Sequence, residues 1–274
     1  MTKKKQLQIQ KMLIKPDFCP ICKSDSIYEY VKLKPAAIFC CNQCKNAWTY
    51  PAPIPPKYSK LDFHKTATKE TTSDLKSVDS LPTNWKRSIQ MQSNLIINHV
   101  KKGSTVLEIG CGEGFFLEKL KNEGYLVTGI EPSESASKRA RLRNINVITT
   151  VFQPNKIKKK YDLIIMSHVL EHIAKPIDTL KEVKFLLTKN GKILLIQTNY
   201  QGLIPRIYKK SWYAWVPEQH FWHFTPKGMK YISKLIEMKP ILIEKSNLCH
   251  PGITQKLIEL IPASMDQFHI LLSK

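Results

Sequence analysis

Glu108, Gly110, Gly112 and Gly114 stand at alternate positions in the run EIGCGEG, and a further acid, Glu131, follows the next apolar stretch. Glycines allow a backbone to turn sharply and to approach a ligand closely. Carboxylates beside such a turn attract a cation and accept hydrogen bonds from hydroxyls. A dinucleotide turn needs glycines spaced G-x-G-x-x-G to present a helix amino terminus to a pyrophosphate. Here Phe115 stands where the third of those glycines would be, and Glu108 and Glu131 would repel a pyrophosphate. The pattern suits a ligand with an ammonium group and a free ribose diol. A nicotinamide-binding turn and a purely structural turn are the competing readings.

The elements around these residues supply the register. Val106 to Ile109 reads as a strand buried on both faces, an amphipathic helix runs to about Asn122, and Gly124 ends it. A second strand, Leu126 to Ile130, delivers Glu131 at its tip. Such a βαβ unit places the glycine turn and the acid at strand carboxyl ends, where open α/β sheets bind ligands. S-adenosylmethionine carries the ammonium and the diol, and it is the expected cofactor. Its expected contacts are Glu108, Gly110, Cys111, Gly112, Gly114, Glu131 and Pro132. A third strand over Asn146 to Thr149 ends without an acid, leaving adenine to backbone groups, stacking or Gln153.

Cysteines are the next chemically marked group. Cys19-Pro-Ile-Cys22 and Cys41-Asn-Gln-Cys44 are two C-x-x-C knuckles separated by a strand-rich span, the spacing of a four-cysteine zinc ribbon. Cys40 could replace Cys41 only by widening the second knuckle, and unmetallated cysteines in a small apolar knot are the alternative. Closed four-thiolate sites are structural.

The division expected is a basic lead-in at 1–15, a zinc ribbon at 16–50, a proline-rich arm at 51–84 and an α/β domain at 85–274. In the arm, Tyr58, Phe63 and His64 either face a substrate or pin the arm down. Within the domain, Asn84 to Lys101 and Pro132 to Arg143 read as helices, and Tyr161 to Ser167 as a buried strand entering His168-Val-Leu-Glu171-His172. A helix from Ile177 stopped by Asn190-Gly191 and a strand over Lys192 to Thr198 follow. Thr225-Pro226 should cap a helix to Met238, with strands at Pro240 to Lys245 and Gln267 to Leu272 completing seven. The insertion 200–224 is long and aromatic, with Trp212, Trp215, Trp222, Glu218, His220 and His223. Long ordered insertions usually carry function.

E-x-G-x-G-x-G resembles motif I of the class I methyltransferases, and HVLEH resembles the segment after their fourth strand. The resemblance implies a Rossmann-like α/β fold, a seven-stranded sheet with helices on both faces, here preceded by the ribbon. It implies that Ser167 and His168 lie beside the cofactor, while Glu171 and His172 read as structural. The ribbon and arm ahead of that fold resemble a bacterial group of small-molecule methyltransferases, including sugar C-methyltransferases of surface-polysaccharide and secondary-metabolite pathways. The sugar C-methyltransferases of that group generally carry a further carboxyl-terminal domain, which is not expected here and counts against that subgroup.

Methyl transfer at a sulfonium carbon mainly needs alignment, plus a base for the acceptor's proton. His220, oriented by Glu218 or His223, is the expected base; packing of both histidines among tryptophans is the alternative. The acceptor is expected to be a small molecule, with phosphate-bearing ones such as a nucleotide- or lipid-linked sugar among the candidates.

The formal net charge of +21 invites an anionic partner, and an RNA methyltransferase with a zinc module is the second hypothesis. The excess is nearly all lysine, as in Lys156 to Lys160, and reads more simply as solvated faces. Arginine is confined to Arg87, Arg139, Arg141, Arg143 and Arg206, and there is no D/N-P-P-Y/F tetrad of the kind used to methylate adenine amines. A non-catalytic binding module is the third class. No apolar run of membrane length and no signal-peptide core occur, so a cytoplasmic protein is expected.

Overall fold

A computed structural model describes residues 15–54, 77–246 and 266–274. Tyr58, Phe63 and His64, with most of the arm and nearly all of the basic lead-in, lie outside the described residues. Among those described, no helix is long and apolar enough to cross a membrane.

Seven strands form one mixed sheet. They are β4 (Thr105–Ile109), β5 (Leu126–Ile130), β6 (Val147–Ile148), β7 (Tyr161–Ser167), β8 (Leu187–Thr198), β10 (Lys239–Ser246) and β11 (Gln267–Ser273), in the order β10-β11-β8-β7-β4-β5-β6. The five from β6 to β8 run parallel, while β11 is antiparallel to β8 and β10 to β11. Parallel strands need crossover helices on both faces, which buries the central strands completely. Leu163 to Met166 and Ile193 to Ile196 have no solvent exposure. The order reverses at β4, between β5 and β7, and this reversal opens the crevice at the strand carboxyl ends.

The helices are α1 (Thr83–His99), α2 (Phe115–Asn122), α3 (Glu134–Leu142), α4 (Pro176–Phe185), α5 (Leu203–Tyr208) and α6 (Pro226–Leu235). Ser133 caps α3 by accepting from the Ala136 N–H, and Thr225 caps α6 by accepting from the Gly228 N–H, as their residue types predict.

Asn190-Gly191 is not a helix stop. Helix α4 ends at Phe185 and the pair lies inside β8. A Cβ on Gly191 would sit 2.8 Å from the Leu187 Cβ and 3.0 Å from the Tyr161 carbonyl, so glycine serves a close strand approach there.

The amino-terminal module contributes β1 (Ile27–Lys32), β2 (Ala37–Cys41) and β3 (Ala47–Tyr50), antiparallel in order. Its sheet does not close on itself. Strand β9 (Trp222–His223), from the aromatic insertion, pairs antiparallel with β3 through Ala47↔His223 and Trp48↔Trp222. Asn46 donates to the Gly228 carbonyl at 3.2 Å, and Thr225 and Tyr200 donate through their hydroxyls to the Lys45 carbonyl. Ribbon and insertion therefore share one sheet and one apolar core, in which Phe39 and Trp48 pack with Phe221, Trp222 and Met229.

Candidate active site

One cavity of about 820 Å³ opens at the carboxyl ends of β4, β5 and β7. Its first half is built locally. Gly110, Gly112 and Gly114 have φ of +73°, +53° and +80°, the left-handed region that glycine occupies at little cost. A Cβ on Gly110 would come within 2.5 Å of Val169, so this turn has no room for a side chain. Glu131 is fixed by two backbone donors, the Gly112 N–H at 2.9 Å and the Ser133 N–H at 2.8 Å. An ionised carboxylate has about four lone-pair sites, so its oxygens can accept further hydroxyls.

Glu108 is 4 % exposed, and its Oε2 has no hydrogen-bond partner. Burial, and then repulsion from Glu131, push its carboxyl up to about 8. An orphaned buried carboxylate beside a second one is a receptor for a cation with donors of its own. Pro132, Ser133, Val151 and Phe152 complete this half.

The second half is assembled from distant segments. His168, in the left-handed region at φ +52°, follows β7. Its Nδ1 lies 3.5 Å from Glu171 Oε1, and its Nε2 is 3.2 Å from Gln267 Oε1 on β11, an oxygen that can only accept. Burial lowers the His168 pKa, but the bond and charge of Glu171 outweigh it and the net shift is upward. Glu171 is buried too, yet the His168 contact pulls it down to about 2. His220 is held by its Nδ1 at 3.0 Å from the Ala214 carbonyl. A carbonyl only accepts, so Nδ1 carries the proton and Nε2 keeps its lone pair. Burial drops the His220 pKa to about 4, leaving the ring neutral near pH 7. His172 packs edge-on against it, with ring centroids 4.6 Å apart.

The third constellation is separate from the cavity. Cys19, Cys22, Cys41 and Cys44 bring their sulfurs together, with Cys19–Cys44 at 3.6 Å and Cys22–Cys41 at 3.4 Å. The Cys44 N–H points at Cys41 Sγ at 3.4 Å. Cys40 lies outside this cluster and packs instead with Ile38, Tyr200 and Trp212.

Of the residues expected from sequence, Glu108, Gly110, Cys111, Gly112, Gly114, Glu131, Pro132, Ser167, His168 and His220 line the cavity. Gln153 does not; its neighbours Val151 and Phe152 do. Glu218 is exposed and off the cavity wall. His223 faces the ribbon, 3.2 Å from the Thr49 hydroxyl, with its ring against Trp215. The orienting role expected of Glu218 or His223 falls to the Ala214 carbonyl. Sequence reasoning missed Gln267 and Trp85, which lie on elements with no local link to the glycine turn, and it favoured a structural reading of Glu171 and His172, of which His172 lines the cavity.

A glycine turn at the reversal of a parallel sheet, with acids at two strand tips, places the chain among the α/β folds that take a ligand in the crevice at that reversal. Residues 85–234 match the family described as methyltransferase domain, and the chain belongs to it. It is 27% identical to the ubiquinone biosynthesis O-methyltransferase of Coxiella burnetii over 161 residues, 53% of this chain and 66% of the relative. The corresponding Vibrio vulnificus enzyme is 25% identical over 162 residues, 56% of this chain and 66% of its own length.

Among solved structures, the fold is shared with a possible histamine N-methyltransferase of Thermotoga maritima. Its TM-score is 0.54 at 19% identity, covering 69% of this chain and 90% of that one. It is shared also with magnesium protoporphyrin IX methyltransferase from Synechocystis, with a TM-score of 0.53 at 13% identity, covering 70% and 84%.

Proposed function

We propose that the chain methylates a hydroxyl of a small acceptor bound in the histidine half of the cavity. S-adenosylmethionine, bound in the other half, supplies a methyl group activated by its sulfonium. The observation that carries this reading is the cavity itself, with an orphaned carboxylate at one end and a bare imidazole nitrogen at the other. Glu108 receives the ammonium, Glu131 the ribose hydroxyls, and Val151 and Phe152 offer apolar surface for adenine stacking. Gly110, Cys111, Gly112 and Gly114 let the backbone approach, and Ser167 and His168 flank the reacting centre.

His220 Nε2 takes the acceptor's proton as the hydroxyl becomes acidic during transfer, and Phe221 and Val216 help exclude water. The O-methyltransferase relatives favour oxygen as the nucleophile. The arginines of α3 and its carboxyl-terminal cap are committed inside the domain: Arg139 pairs with Glu113 at 2.9 Å, Arg143 lies by Glu118 at 3.8 Å and over the Phe115 ring, and Arg141 bonds Val147 and Thr149. They are not a phosphate-reading surface, which supports a small acceptor over RNA.

We also propose that the four cysteines hold a structural zinc ion. A tetrahedron with Zn–S bonds of about 2.3 Å has S···S edges of about 3.8 Å, close to the separations observed. On this reading 16–50 is the ribbon and 85–274 the catalytic domain, tied together through β9.

The test is transfer of labelled methyl from S-adenosylmethionine to a panel of phenols, catechols and nucleotide-linked sugars, with metabolite mass spectrometry of cells with and without active protein. Labelled product is expected from a hydroxyl-bearing small molecule. Labelling of RNA alone would overturn the acceptor reading.

A further inference from the structure

Glu171 and His172 have no part in the scheme above; His172 lines the cavity, and the adjacent Glu171 is buried beside it. Glu171 is 2 % exposed. Its Oε1 faces His168, but its Oε2 is buried with no hydrogen-bond partner. A buried carboxylate oxygen left unpaired is costly, and buried charges are normally paired or bound to a metal ion. One donor atom from each of Glu171, His172 and His220 lies within 4.8 Å of the other two. Donors sharing one ion at about 2.1 Å are at most about 4.2 Å apart, so small side-chain rotations close the set.

The surroundings prepare these residues as ligands. His220 donates its Nδ1–H to the Ala214 carbonyl, which turns a bare Nε2 outward. Metal-ligating histidines usually carry such a second bond. The Phe221 N–H donates to the Glu171 carbonyl at 2.8 Å, and Trp222 Nε1 donates to the Ala174 carbonyl at 3.3 Å. These two bonds fasten the insertion to the segment after β7, and without them the ligands would not meet. His172 and His220 both open on the cavity, so the set is not closed by protein.

We propose that Glu171, His172 and His220 form a site for a divalent cation with nitrogen and oxygen preference, such as Mn²⁺, Fe²⁺, Co²⁺ or Zn²⁺, distinct from the four-cysteine site. Two imidazoles and one carboxylate are a three-ligand set that leaves coordination positions free. The inference rests on the reading that this half of the cavity holds the acceptor. An acceptor hydroxyl, or a vicinal pair of them, would take the open positions. The ion would fix the oxygen and lower its pKa, and the proton would leave to solvent. In the loaded state His220 is then a ligand, and the ion takes over its part in deprotonation.

The experiment uses the full chain with its cysteine site loaded with zinc, since Mn²⁺ binds thiolate sites poorly. Mn²⁺ is titrated while the free-ion resonance is followed by electron paramagnetic resonance, and S-adenosylmethionine binding is measured by calorimetry on the same samples. One Mn²⁺ per chain is expected in the wild type. Glu171→Gln and His220→Ala should each weaken it ten-fold or more while cofactor affinity holds, which shows that the variants are folded. His172→Asn, a smaller change, should weaken Mn²⁺ as well and serves if either variant misfolds. No saturable Mn²⁺ binding in the wild type, or equal binding in the variants, overturns the proposal. Mn²⁺ binding without cofactor binding would leave the metal site standing and remove the methyltransfer reading instead.

Discussion

The two halves of the cavity are made in different ways. The half proposed for the cofactor comes from a single βαβ unit, with Glu108, three glycines and Glu131 held by β4, α2 and β5. The half proposed for the acceptor brings His168 and His172 from the end of β7, His220 from the insertion and Gln267 from β11. It is held in place by a ribbon from the other end of the chain, through β3 and β9. One half is local and depends on backbone conformation. The other is a meeting of remote segments and depends on docking. The halves should therefore fail separately, and by different routes.

The largest separation is expected from His220→Ala. Removing a positioned proton acceptor or metal ligand should cut turnover by roughly 10²- to 10⁴-fold with cofactor affinity unchanged. Steady-state kinetics beside calorimetry checks it; retained turnover would place the chemistry elsewhere. Glu131→Ala should do the reverse. Loss of charge-assisted bonds to the ribose should lower S-adenosylmethionine affinity roughly 10- to 100-fold, with turnover at saturation much less affected.

Chelation of the cysteine site, or Cys19→Ser, reaches the acceptor half from a distance. Structural zinc sites supply much of the folding free energy of such modules, so removing the proposed zinc should loosen β3 and with it β9. Activity and the lower part of the thermal melt should suffer together, while cofactor still binds. Unchanged activity in the chelated protein would show that ribbon and acceptor half are uncoupled.

The smallest effect is one of pH. A carboxyl raised to about 8 from 4.5, as in Glu108, favours the fold fully below 4.5 and loses that contribution as pH rises through about 8. A ligand ammonium reverses the preference, because it needs the ionised form. Cofactor affinity should then rise between pH 6 and 7.5, by up to roughly tenfold per unit, while the ligand's amine is still charged. Glu108→Gln should bind more weakly and show a flatter profile. A wild-type affinity independent of pH would remove Glu108 from the ammonium site.

The same contrast explains what the chain's letters disclose. Alternating glycines, a buried β-branched strand and an acid at the next strand's tip are signals within one short stretch, so the cofactor half and all seven strands are legible in order. The C-x-x-C pairs are equally local, and the cluster they form excludes Cys40 because successive β2 side chains point to opposite faces. Asn190-Gly191 misleads because a helix stop and a close strand approach ask for the same residue. Glu218 and His223 mislead because sequence proximity to His220 does not decide which face of the insertion each occupies. The meeting of His172 with His220 and of His168 with Gln267 carries no local signal, since each depends on how remote segments dock, the insertion through β9 and the last strand against β8.

Calorimetric titration of S-adenosylmethionine into the wild type, Glu131→Ala and His220→Ala tests the two-part cavity most directly. One cofactor per wild-type chain, a large loss in Glu131→Ala and none in His220→Ala is the predicted result. Absence of binding in the wild type, or equal losses in both variants, would contradict it.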